Sequence, residues 1–78
     1  MERQERFGEC LQRMLNENGM SASEAARLVG FRSRNSIFRI LSGETSAEVD
    51  ARFLAKLKET LGEVWPTESW RTLENALD

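Results

Sequence analysis

Four glycines punctuate this 78-residue chain, and the stretch before each has the apolar spacing of a helix. Gly19, Gly30, Gly43 and Gly62 each follow residues whose apolar members recur three or four apart, the period of one helix face. Glycine commonly takes the left-handed conformation in which helices end. No run alternates polar and apolar residues long enough to predict a strand, and no internal repeat is present.

Residues 4–18 place Phe7, Leu11, Met14 and Leu15 on one stripe, with Cys10 at its edge as a small buried hydrophobe. Ser21 and Glu24 then have the spacing of a capping box, with Met20 and Ala25 placed as a weak hydrophobic staple. The spacing predicts a short helix over residues 22–29, in which the small Ala26 lets a neighbour approach closely. Ser33 is expected to cap a third helix over residues 34–42. Its Ile37, Ile40 and Leu41 turn inward and leave Arg34, Asn35, Ser36, Phe38 and Arg39 on the other faces. A fourth helix begins near Ser46 or Ala47, with Thr45 and Glu48 spaced as a second capping box. It carries Val49, Phe53, Leu54, Leu57 and Leu61. Thr67 is expected to cap a last helix with Trp70, Leu73 and Leu77 in register. The expected fold class is all-α, a compact bundle of about five short helices.

Composition excludes whole classes of chemistry. The chain has no histidine and one cysteine, which removes an internal disulfide, a Cys/His zinc site and a histidine-based nucleophile relay. The carboxylates are scattered over helix faces and there is no glycine-rich phosphate loop. Neither an enzyme nor a cofactor or metal site is therefore expected. No apolar run is long enough for a membrane span or a signal-peptide core. A lone cysteine fits a reducing compartment, so the expected location is the cytoplasm.

The net charge of −2 is an average over unlike segments. Residues 1–26 hold three arginines against five glutamates, and residues 44–78 hold four cations against eight carboxylates. Between them, residues 27–43 hold Arg27, Arg32, Arg34 and Arg39 and no acid. An acidic body with one basic edge can bind a polyanion through that edge, because the local field governs docking.

Two short helices joined by a glycine-containing turn, the second opening on polar and basic residues, make a helix-turn-helix pattern. Residues 7–62 resemble the phage lambda repressor/Cro-like helix-turn-helix domains of bacterial and phage regulators. The residues that carry the resemblance are Ser21, Glu24, Ala26, Gly30 and Ile37, and the closing Ile40, Leu41, Ser42 and Gly43. It implies a sequence-specific DNA-binding domain of a transcriptional regulator, with residues 34–42 as the recognition helix in the major groove. The expected base contacts are Arg34, Asn35, Ser36, Phe38 and Arg39. Arginine reads guanine, asparagine reads adenine, and an aromatic ring covers a thymine methyl. For Phe38, core packing is the competing expectation. Expected phosphate contacts are Ser23, Arg32, Ser33 and Ser42, helped by the positive ends of the second and third helices. The chain departs from the family pattern in Ala22, where glutamine is frequent, and in Glu44, which opens a loop often basic in relatives. The turn before Ile37 is also one residue longer than the shortest family form. Fewer phosphate contacts imply weaker, less salt-steep binding.

The last segment, residues 65–78, lies beyond the DNA-binding unit of residues 1–64. Trp65, Trp70, Leu73 and Leu77 either pack on the first and fourth helices or form a dimer interface. A two-fold homodimer would read a near-palindromic operator in double-stranded DNA. The alternative function is a protein-interaction module, antitoxin-like or adaptor, that uses this Trp/Leu segment. A further C-terminal domain in a longer protein is also expected.

Overall fold

A computed structural model of the chain describes residues 6–77, apart from the side chain of Arg34. It is an all-α bundle: α1 (Phe7–Glu17), α2 (Ala22–Leu28), α3 (Arg34–Leu41), α4 (Ala47–Leu61) and α5 (Thr67–Asn75). α2 packs on α3 and α4, and α1 lies against both α3 and α5. α5 also packs on α4. No helix among the described residues is long and apolar enough to cross a membrane.

Three of the glycines end their helices in the same way. After α1 the N–H of Met20 reaches the carbonyl of Leu15 at 2.9 Å, and that of Gly19 reaches Asn16 at 3.2 Å. Phe31 and Gly30 repeat the pair of bonds on Ala26 and Arg27 after α2, and Glu44 and Gly43 repeat it on Arg39 and Ile40 after α3. The geometry needs a left-handed residue, and Gly19, Gly30 and Gly43 have φ of 67, 85 and 81°. Gly62 differs. Its φ of −55° is right-handed, and its carbonyl accepts from the Trp70 indole N–H at 3.3 Å.

The capping box at α2 forms as its spacing predicts. The Glu24 N–H donates to Ser21 Oγ at 3.1 Å, and the Ser21 N–H donates to Glu24 Oε1 at 3.3 Å. Ser33 caps α3 as expected, whereas the caps expected at α4 and α5 are corrected. Thr45 does not cap α4: its hydroxyl donates to Asp50 Oδ1 at 2.6 Å, and Ser46 accepts from the Val49 N–H at 3.3 Å. Thr67 lies inside α5, whose cap position is Pro66 with no side-chain bond. Proline fits there because the N–H it lacks would have had no helical partner.

A single core runs through all five helices, from Phe7 and Leu11 through Ile37, Phe53 and Leu57 to Leu73. Cys10 sits inside it at 1% exposure. The core also takes in the C-terminal segment, which settles its placement. Trp65 and Trp70 are each 3% exposed and Leu73 is fully buried, while Leu77 packs half-buried at the edge. The two indoles stack with centroids 5.0 Å apart. These residues are interior, which agrees with the expected packing on the first and fourth helices and leaves Trp65, Trp70 and Leu73 little surface to offer a second copy. Residues 65–77 belong to the same body as residues 6–64.

Gly8 determines how closely α1 crosses α3. A Cβ built there would stand 2.5 Å from the carbonyl oxygen of Ile40 and would also overlap that of Leu41. Both obstacles are backbone and cannot rotate away. Gly8→Ala is therefore expected to destabilise the domain by about 1–3 kcal/mol, although alanine is the better helix former by roughly 1 kcal/mol. A urea titration followed by circular dichroism measures this as a lower midpoint.

Candidate nucleic-acid interface

The site is built on α3, a helix with one apolar edge. Ile37 and Ile40 are 0 and 1% exposed, and Leu41 is partly buried beside them. That edge seats the helix on α1 and α2 and turns Asn35, Ser36, Phe38, Arg39 and Ser42 to solvent. Phe38 is 52% exposed, so its place is on the open face and not in the core. Arg34 opens α3, and its side chain lies outside what the structure describes.

Two concavities flank this face. One is a shallow open groove along α3 that brings together Asn35, Phe38, Arg39 and Ser42 with Gln12 of α1 and Glu44 of the following loop. The other lies between α2 and the turn of residues 29–33, and it gathers Ser23, Arg32 and Ser33 with Arg27. Of the expected base-contacting residues with described side chains, Asn35, Phe38 and Arg39 therefore share one groove, while Ser36 is exposed on the side of α3 toward Thr45, Ser46 and Val49. Three of the four expected phosphate contacts cluster in the second concavity.

The hydrogen bonds distinguish these serines. Ser33 caps α3, accepting from the Asn35 N–H at 3.2 Å, and as a hydroxyl it keeps a hydrogen to donate. Ser42 is directed elsewhere: its Oγ lies 2.6 Å from Glu44 Oε2 and donates to it, with the Arg39 carbonyl at 3.2 Å as the other acceptor in reach. A carboxylate thus stands where a phosphate contact by Ser42 was expected, and it opposes that contact. At the start of α2 the Glu24 carboxylate in the capping box supplies an anion from the chain itself. The expected phosphate attraction at that helix end is therefore offset, whereas α3 has no acidic residue in its first turn.

Among the described residues, no carboxylate forms an ion pair with Arg27, Arg32 or Arg39. Elsewhere Arg13 meets Glu17 at 3.6 Å, Arg52 meets Glu48 at 3.1 Å and Lys58 meets Glu74 at 3.6 Å. An unpaired guanidinium keeps all its donors for a ligand.

Sequence reading missed Gln12 and Arg27 as members of the site. Gln12 is an ordinary polar residue of α1, and only the crossing of α1 over α3 brings it to the groove. Arg27 carried a signal, since it opens the acid-free segment. Among the described residues, no group of three or more Cys, Asp or Glu side chains is arranged to hold a metal ion. No protein-family model matches the chain, and neither does a curated protein or a solved structure.

Proposed function

We infer that the chain is a sequence-specific DNA-binding domain of a bacterial or phage transcriptional regulator, of the lambda repressor/Cro-like helix-turn-helix kind. The observation that carries this reading is the exposed face of α3. Its polar and cationic side chains have no carboxylate ion pairs among the described residues, and its opposite edge is locked into the core. A major groove about 12 Å wide admits one helix and displays a distinct donor and acceptor pattern for each base pair. Inserted there, α3 presents Asn35 to adenine, Arg34 and Arg39 to guanine, and Phe38 to a thymine methyl. Arg27, Arg32, Ser23 and Ser33 hold the phosphates beside α2 and fix the register. Phosphate contacts position such a domain, and base contacts specify the sequence.

The acidic remainder of the chain has a part in this mechanism. It repels DNA from the wrong faces and lowers non-specific affinity, leaving the basic edge to dock. Glu44 extends that repulsion to the end of the recognition face. Glu44→Gln is expected to raise affinity for DNA of any sequence by about fivefold at low salt, the equivalent of roughly 1 kcal/mol. The gain shrinks as salt screens the charge. Fluorescence anisotropy on random-sequence duplexes measures it.

The test of the function is a selection of bound duplexes from random DNA, followed by anisotropy on the enriched sequence across a salt series. The expected outcome is saturable binding whose logarithm falls with log salt at a slope of about −3, from three or four neutralised phosphates. If the chain pairs two-fold, the enriched sequence is an inverted repeat with half-sites one helical turn apart. Absence of saturable binding at low salt would overturn the reading.

A further inference from the structure

α4 carries more apolar surface than the rest of the chain covers. Along its stripe Leu57 and Leu61 are buried and Phe53 is 3% exposed, but Val49, one turn earlier, is 41% exposed. The cause lies in α2, which ends at Leu28, after which Gly30 turns the chain away. Phe31 follows, half-buried against Phe53 with ring centroids 5.5 Å apart. A trough of about 270 Å³ is left between the C-terminal turn of α2 and α4. Val29, Phe31, Val49 and Phe53 form its floor, and Arg52 and Lys56 stand at its rim. No carboxylate lines it among the described residues. Arg52 shares Glu48 along its own helix, while no acid forms an ion pair with Lys56 among the described residues.

We propose that this trough docks a short acidic segment of a partner protein, with one apolar side chain seated over Phe31, Val49 and Phe53 and neighbouring carboxylates meeting Lys56 and Arg52. The residues that line the trough pair an apolar floor with cations only, and of these Lys56 is the one without a carboxylate ion pair among the described residues. The volume falls below the roughly 300–1,000 Å³ of small-molecule sites, which favours a single anchoring side chain. A nucleic-acid backbone would lay phosphates over an apolar floor and leave Val49 uncovered. A second copy related by a two-fold axis through the trough would set Arg52 and Lys56 against their own counterparts, since such an interface opposes a patch to itself. Like charges so placed repel. The trough shares no lining residue with the groove along α3 and only Phe31 with the concavity beside α2, and none of Val49, Arg52 and Lys56 belongs to the proposed DNA contacts, so this docking surface stands whether or not the DNA reading does.

The probe is a displayed library of short random peptides, selected against the full chain. Enriched peptides are then titrated into isotopically labelled protein and followed by amide chemical shifts. Enrichment should favour aspartate or glutamate beside leucine, isoleucine or phenylalanine, with shifts confined to residues 29–31 and 49–56. Val49→Asp and Lys56→Glu both change exposed side chains, and each should weaken the selected peptides by about tenfold or more. Lys56→Glu should in addition improve binding when the peptide's acids are replaced by lysines. The proposal is overturned by a selection that enriches nothing, by peptides rich in lysine or arginine, or by shifts that fall elsewhere. A dimer of the wild-type chain that dissociates on Val49→Asp would likewise assign the trough to a second copy.

Discussion

Trp70→Ala is expected to cost about 3–5 kcal/mol of folding stability, the usual loss when a buried aromatic is truncated. The domain has little to spare. At roughly 0.05–0.15 kcal/mol per residue, a chain of this length holds about 4–12 kcal/mol in total. Three interactions go at once: burial of an indole that is 3% exposed, its stack on Trp65 at 5.0 Å and its hydrogen bond to the Gly62 carbonyl at 3.3 Å. The Gly62 carbonyl also ties the end of α4 to α5, so truncation loosens both helices. Trp70→Phe keeps a ring but no N–H, and should lose about 1 kcal/mol or somewhat more. Thermal melts by circular dichroism over a wide range of protein concentration separate this outcome from its competitor. With an interior role, Trp70→Ala melts far lower than wild type at every concentration. With an interface role, the variant would keep the monomer's melting temperature and lose only association, seen by sedimentation.

The C-terminal segment shows where sequence reading reached its limit. The stripe of Trp70, Leu73 and Leu77 was legible as the apolar face of a helix. What that face meets was not, because an intrachain core and a dimer interface demand the same residues. The missed caps are of a related kind. Ser21 and Glu24 formed the expected box because the pattern is complete within four residues. Thr45 and Glu48 have the same spacing, but Thr45 is drawn to Asp50, and the neighbouring Ser46 supplies the cap. Adjacent hydroxyls compete for one role, and spacing alone does not rank them. Three of the four punctuating glycines took the left-handed conformation, whereas Gly62 did not. Its turn is constrained by α5 returning along α4, a tertiary condition. Val49 fitted the stripe of α4 yet stands 41% exposed, because the length of α2 determines where the stripe ceases to be covered. Helix faces were readable from spacing, whereas the choice between adjacent cap residues and the identity of the surface each face meets were not. Phe38 belongs to the second group. One residue beyond the buried Ile37, it was as consistent with the core as with the open face, and the seating of α3 on α1 decided for the face.

Asn35→Ala combined with Arg39→Ala is expected to abolish recognition of the selected DNA while leaving the fold intact. Both side chains are exposed on α3, where substitutions away from caps and core stay within about 0.5 kcal/mol of wild type. Each bidentate base contact contributes about 1–3 kcal/mol of discrimination. Losing both should weaken binding to the enriched sequence from roughly 30-fold to more than 10,000-fold. Random-sequence duplexes should lose far less, because only one of the unpaired arginines has gone and Arg27 and Arg32 remain beside α2. The salt slope should then fall by about one unit. Arg71→Ala is the matched control: it removes one positive charge from an exposed position on α5, outside both concavities. If charge alone drove binding, Arg71→Ala would weaken the two kinds of DNA as much as Arg39→Ala does. A face that reads bases instead predicts a large loss on the selected duplex for the double variant and almost none for Arg71→Ala. Equal losses in the two variants, or a double variant that binds the selected duplex like wild type, would remove α3 from the recognition role.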